Sequence, residues 1–171
     1  MKKDFNRLVK ELDEDELRDE LRMLYDRFPI LKEYYKMELG ASTQPVLDKY
    51  KKDLRRTFFA ARRRVSRRAR SESKKVIKAF AAISIHDRDL LELIFYRAEL
   101  MAEAIAHYGI TNESFIVAAV KAYEEGLQFA EREVFLDTHR EQIEALARYF
   151  EENVHYGSYS LWPSFRKYYE D

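Results

Sequence analysis

DRDLLELIFYRAELMAEAIAHYG, residues 87–109, decides the fold. Leu90, Leu91, Ile94, Ala98, Met101, Ala102, Ile105 and Tyr108 keep the 3.6-residue spacing of an α-helix for roughly six turns. Asp87 is placed to cap its start and Gly109 to end it. A chain containing so long an amphipathic helix must bury its apolar stripe against other elements, and the flanking sequence offers only more helices.

Downstream, Asn112 opens a helix with Phe115, Ile116, Ala119, Val120, Tyr123, Leu127 and Ala130 on one face, despite Gly126 in its interior. Thr138 and Glu141 have the spacing of a capping box for the next helix, which carries Ile143, Leu146, Tyr149 and Phe150 and is expected to close at Gly157. A short terminal helix then presents Leu161, Trp162, Phe165 and Tyr169. Upstream, Ser71 or Ser73 is expected to cap a helix with Val76, Ile77, Phe80 and Ile83 inward. Before it, Pro45 opens one with Val46, Leu47, Tyr50, Leu54 and Phe58 as its buried face. Residues 40–44 read as a linker. Nearer the start, Asp13 with Glu16 forms a capping box, Pro29 separates two helices, and Gly40 is expected to cap the second of them.

The expected architecture is therefore all-α. About eight helices form a single domain over residues 1–171, packed as antiparallel hairpins, with a short superhelical stack left open. The composition agrees. Four Gly and three Pro in 171 residues leave little material for hairpin turns, and 36% charged residues suits many amphipathic helices each with a solvated face. The absence of cysteine excludes disulfides, thiolate metal sites and cysteine nucleophiles. Asp4, Asn6, Arg7 and Lys10 interrupt any apolar run after the first lysines, so a cytoplasmic location is expected, with no membrane association.

Four stretches resemble, in the same order, a family of small all-helical bacterial proteins of unknown function. Leu24-Tyr-Asp-Arg-Phe-Pro-Ile-Leu-Lys-Glu-Tyr-Tyr35 looks like its start and Lys74-Lys-Val-Ile-Lys-Ala-Phe80 its central helix. Tyr108-Gly-Ile-Thr-Asn-Glu-Ser-Phe115 is similar to its linker into a long helix. His155-Tyr-Gly-Ser-Tyr159 with Tyr168-Tyr169-Glu170-Asp171 resembles its aromatic tail. The resemblance implies an all-helical fold and carries no activity with it.

The net charge of zero hides a strong polarisation. Residues 51–75 hold 12 basic and 2 acidic groups, whereas residues 76–171 hold 9 and 17. Arg55, Arg56, Arg62, Arg63, Arg64, Arg67, Arg68, Arg70, Lys74 and Lys75 are the candidate polyanion contacts, because clustered guanidinium forks neutralise phosphates. The competing reading pairs them with the chain's own acidic surface. Arginines 62–70 admit two conformations, a surface helix along Ala61, Val65 and Ala69 or a mobile arm driven by like-charge repulsion.

The second candidate surface is the tail, residues 156–171, where Tyr156, Tyr159, Trp162, Phe165, Tyr168 and Tyr169 exceed what one face of a short helix buries. It either folds back over the core or meets a partner. Glu99, Glu103 and His107 share a helix face, but the Glu-x-x-x-His spacing occurs once, and a solvated face is preferred to a metal site. No Gly-rich phosphate loop or nucleophile elbow exists, so neither a catalytic residue, a cofactor nor a small-molecule substrate is expected. The preferred function is a non-enzymatic domain that binds a protein partner or a second copy of itself. The alternative is nucleic-acid or other polyanion binding through residues 51–75.

Overall fold

A computed structural model describes residues 1–61, 63–157 and 159–170. Among the described residues there are nine α-helices and no strand. The chain divides into two compact units, Met1–Thr43 and Gln44–Asp171.

The first unit holds α1 (Lys2–Glu11), α2 (Glu14–Arg27) and α3 (Pro29–Leu39). The Asp13 capping box forms as its spacing predicts. Asp13 Oδ1 accepts from the Asp15 and Glu16 amides, and Glu16 Oε2 accepts from the Asp13 amide, all at 2.9 Å. Pro29 opens α3, which packs on α2. Gly40 occupies the C-cap of α3 as expected, in extended backbone.

The second unit holds α4 (Gln44–Phe59), α5 (Ala69–Ala81), α6 (Asp87–Tyr108), α7 (Glu113–Arg132), α8 (Leu136–Asn153) and α9 (Trp162–Tyr169). All five apolar positions expected on α4 are buried. The helix α6 packs against α4, α5, α7 and α8, so it is covered on almost every side. Leu93, Phe95, Arg97, Leu100 and Ala104 are buried together with Leu91, Ala98, Met101, Ala102 and Ile105 of the expected stripe, because neighbours surround the helix, while Leu90, Ile94 and Tyr108 are half-buried. No helix among the described residues is long and apolar enough to cross a membrane.

Several helix ends differ from the sequence expectation, and α6 and α8 begin without a side-chain cap. His86 occupies the position before α6, leaving Asp87 inside the first turn with Asp89, where both complement the positive end of the helix dipole. Thr138 donates to the Phe135 carbonyl at 3.1 Å instead of capping, because α8 has already begun at Leu136. That helix stops at Asn153, before Gly157, where Val154 becomes buried. Asn112 caps α7 as expected, its Oδ1 accepting from the Phe115 amide at 3.1 Å.

Candidate functional site

The basic segment runs through the end of α4, a connecting loop and the start of α5. Its flanks are tied to the molecule. Arg55 donates in bidentate fashion to Glu103, at 2.7 and 2.8 Å, with its guanidinium 4.7 Å from the Phe59 ring centroid. The Glu103 carboxylate holds the Arg55 pKa above its ordinary value. Lys51 pairs with Glu92, Arg56 with Asp53 at 3.6 Å, Lys74 with Glu125 at 3.3 Å and Lys75 with Glu72 at 2.9 Å. Arg70 donates to the Ser114 carbonyl at 2.7 Å and faces the Phe115 ring. Most of these pairs are solvated, and such contacts are individually worth no more than about 1 kcal/mol, so they position more than they stabilise.

Between the flanks the helix breaks. Tyr108 stacks on Phe59 and donates to the Ala61 carbonyl at 2.6 Å, satisfying a backbone acceptor where α4 ends. At the other end Ser66 Oγ accepts from the Arg68 amide at 3.2 Å, the Ser66 carbonyl from the Ala69 amide at 3.0 Å, and α5 begins. The helix thus starts before Ser71 and Ser73, the expected caps. Ser71 instead donates back to the Arg68 carbonyl, and Ser73 is buried. Arg63, Arg64, Arg67 and Arg68 are exposed on this loop, and none has an ion-pair partner among the described residues. Arg62, expected with them, lies outside the described residues. A cleft of about 420 Å³ beside the loop is lined by Val65, Arg67, Arg70, Ile110 and Phe115.

Four of the ten basic candidates are therefore placed together and open to solvent, while Arg55, Arg56, Arg70, Lys74 and Lys75 already have partners. Sequence spacing could not distinguish them, since Glu103 and Glu125 lie about 50 residues away from the cations they meet.

The tail lies mostly on its own core. Phe165 is buried, while Tyr159, Trp162, Tyr168 and Tyr169 are half-buried and Tyr156 is exposed. Tyr169 donates to the Leu136 carbonyl at 2.8 Å, and burial pushes its pKa up to about 12. Tyr159 donates to Glu113 and Ser164 to Glu124, tying the tail to α7.

On α6, Glu103 is committed to Arg55, and the His107 ring packs edge-on against Phe59 and Tyr108. Among the described residues no three His, Asp or Glu side chains converge as a metal site would need. Glu99 is half-buried in an α6–α8 groove beside Gln142 and Tyr149, and burial raises its pKa against the pull of Lys51. A raised carboxyl pKa means that the folded state holds its proton more tightly. Stability therefore falls as pH rises from the unfolded carboxyl value through the folded one. Glu99→Gln is expected to be more stable than wild type at pH 7 and to lose that part of the pH slope, read from denaturant midpoints between about pH 4 and 7.

One charged group was invisible to periodicity. Arg97, on the supposed solvent side of α6, is only 3% exposed and lies between Ser73 of α5 and Glu125 of α7. Its signal was a lone arginine among apolar positions.

Neither a curated protein nor a solved structure matches the chain. A family model matches residues 1–155, which contain three of the four stretches read as resembling a family without known activity and stop short of the aromatic tail. On that match the chain belongs to a family of unknown function, DUF6155.

Proposed function

We propose that this protein is a non-enzymatic binding module of the bacterial cytoplasm that holds an anionic macromolecule, nucleic acid foremost, through Arg63, Arg64, Arg67 and Arg68. The supporting observation is that these four guanidinium groups are exposed, close in sequence and without an ion pair among the described residues, while Arg55, Arg56, Lys74 and Lys75 on either side are paired with the chain's own carboxylates. Internal pairing accounts for the flanks and not for the loop. Guanidinium forks match phosphate oxygens, and a loop anchored by Tyr108 at one end and Ser66 at the other presents them with less ordering cost than a free chain. Phosphate contacts carry no sequence information, so binding through these arginines is expected to be independent of sequence.

The test is affinity for mixed-sequence single-stranded RNA or DNA between about 50 and 200 mM salt. Changing Arg63, Arg64, Arg67 and Arg68 together to Gln should remove about 3 from the slope of log affinity against log salt. Equal affinity and slope in wild type and variant would discard the reading. The acidic residues 76–171 give a second reading, self-association through the same loop. It is recognised by a salt-dependent dimer mass that the same variant abolishes, without any nucleic-acid affinity.

A further inference from the structure

We propose that the cleft between α5, α6 and α7 is a seat for a dianionic phosphoryl group, with Arg97 as its floor. The cleft, about 240 Å³, is lined by Arg70, Lys74, Arg97, Ala118, Lys121 and Glu125. Four cations face one carboxylate.

The charge balance of the lining favours an anion. Arg97 donates through Nε to Ser73 Oγ at 3.1 Å and through Nη1 to Glu125 Oε2 at 2.9 Å. The other oxygen of the same carboxylate accepts from Lys74 at 3.3 Å. Glu125 is thus divided between two cations, and its side chain is 47% exposed, which weakens its field through solvent screening. Lys121 has no ion pair among the described residues, and Arg70 is held by a neutral carbonyl and a ring. Arg97 is 3% exposed, and burial pulls its pKa below its ordinary value against the opposing pull of Glu125. With one carboxylate shared among the cations that line the cleft, a doubly charged oxyanion at this place accepts from Arg97, Lys74 and Lys121 together. A phosphomonoester provides both the second charge and three free oxygens.

The seat rests on the proposed anion-binding loop only for the source of the phosphoryl group. Arg70 lines both this cleft and the one beside Val65, so a strand held by the loop reaches the seat with its end. A small phosphorylated molecule supplies the same group without the loop.

Calorimetric titration of the full-length protein with inorganic phosphate at constant ionic strength tests the seat. Saturable one-to-one binding is expected. Lys121→Gln, an exposed change with little bearing on folding, should weaken it roughly fivefold, as expected on losing one solvated charge-assisted contact. Arg97→Met should abolish it, with a melting curve run alongside to confirm folding. The four-arginine loop variant should retain phosphate affinity within about twofold while losing nucleic acid, which separates failure of the loop reading from failure of the seat. Absence of saturable binding to wild type, or unchanged affinity in Lys121→Gln, overturns the proposal. A 5′-phosphorylated oligonucleotide that outbinds its 5′-hydroxyl form, with the advantage lost in Lys121→Gln, identifies a strand end. Equal binding of the two, with phosphate still bound, identifies a small phosphorylated molecule.

Discussion

Phe165→Ala lowers the unfolding free energy by about 3–5 kcal/mol, the cost of emptying a fully enclosed aromatic site. Phe165 is 3% exposed, stacks on Tyr169 at 4.6 Å and meets the Trp162 ring edge-on at 5.3 Å. It is the one buried residue of α9, a helix that rests on α7 and α8. An eight-residue helix has no stability of its own in water, so its order comes from this docking. Losing the Phe165 ring should release Trp162 and Tyr169 as well, and the whole chain should show a lowered denaturant midpoint together with a red-shifted tryptophan emission. Tyr156→Ala, by contrast, should change stability by less than about 0.5 kcal/mol. The comparison decides what the tail is for. A small effect of Phe165→Ala, under about 1 kcal/mol, would mean that the aromatic cluster is not docked in solution and that its rings are available to a partner.

The same contrast explains which parts of this molecule sequence could reveal. The α4 face was legible because a helix covered on one side keeps its apolar residues at the 3.6-residue period, and Val46, Leu47, Tyr50, Leu54 and Phe58 are all buried. On α6 the period identified a helix but not its surroundings. A stripe reading assigns Phe95 and Arg97 to solvent, whereas neighbours on four sides bury both. The loop was ambiguous for a related reason. Ala61, Val65 and Ala69 have helical spacing, and what ends the helix is a hydroxyl from Tyr108, 47 residues away. Caps written in local sequence, at Asp13 and Asn112, were readable; ends fixed by distant groups were not. For the candidate site the consequence is direct. Local composition located the basic segment, but which arginines stay unpaired depends on where Glu103, Glu125 and Ser114 arrive, and that is a property of the packed helices.

A close approach between α6 and α7 gives the other large effect, and it carries a change of sign. A Cβ built on Gly126 would lie 2.7 Å from the Phe95 ring, inside any tolerable contact. The ring cannot easily retreat, being 1% exposed and held edge-on against Tyr123, which itself donates to the Ile143 carbonyl of α8 at 3.1 Å. In the wild type, Gly126→Ala gains about 1 kcal/mol of helix propensity and loses about 1–3 kcal/mol to overpacking, so the net change is neutral to destabilising. Phe95→Ala alone should cost about 3–5 kcal/mol by leaving a cavity over Gly126. In that background the methyl of Gly126→Ala enters free space, and the propensity gain remains without the clash. The same substitution should then stabilise by about 1 kcal/mol, a coupling within the 0.5–3 kcal/mol range of residues in direct contact. Urea unfolding of the four proteins of this cycle measures it. Additive effects, with Gly126→Ala costing as much in the Phe95→Ala background as in wild type, would mean that the two helices do not pack at this spacing. Retention of a helix-weakening glycine in the middle of α7 would then require some cause other than the Phe95 ring.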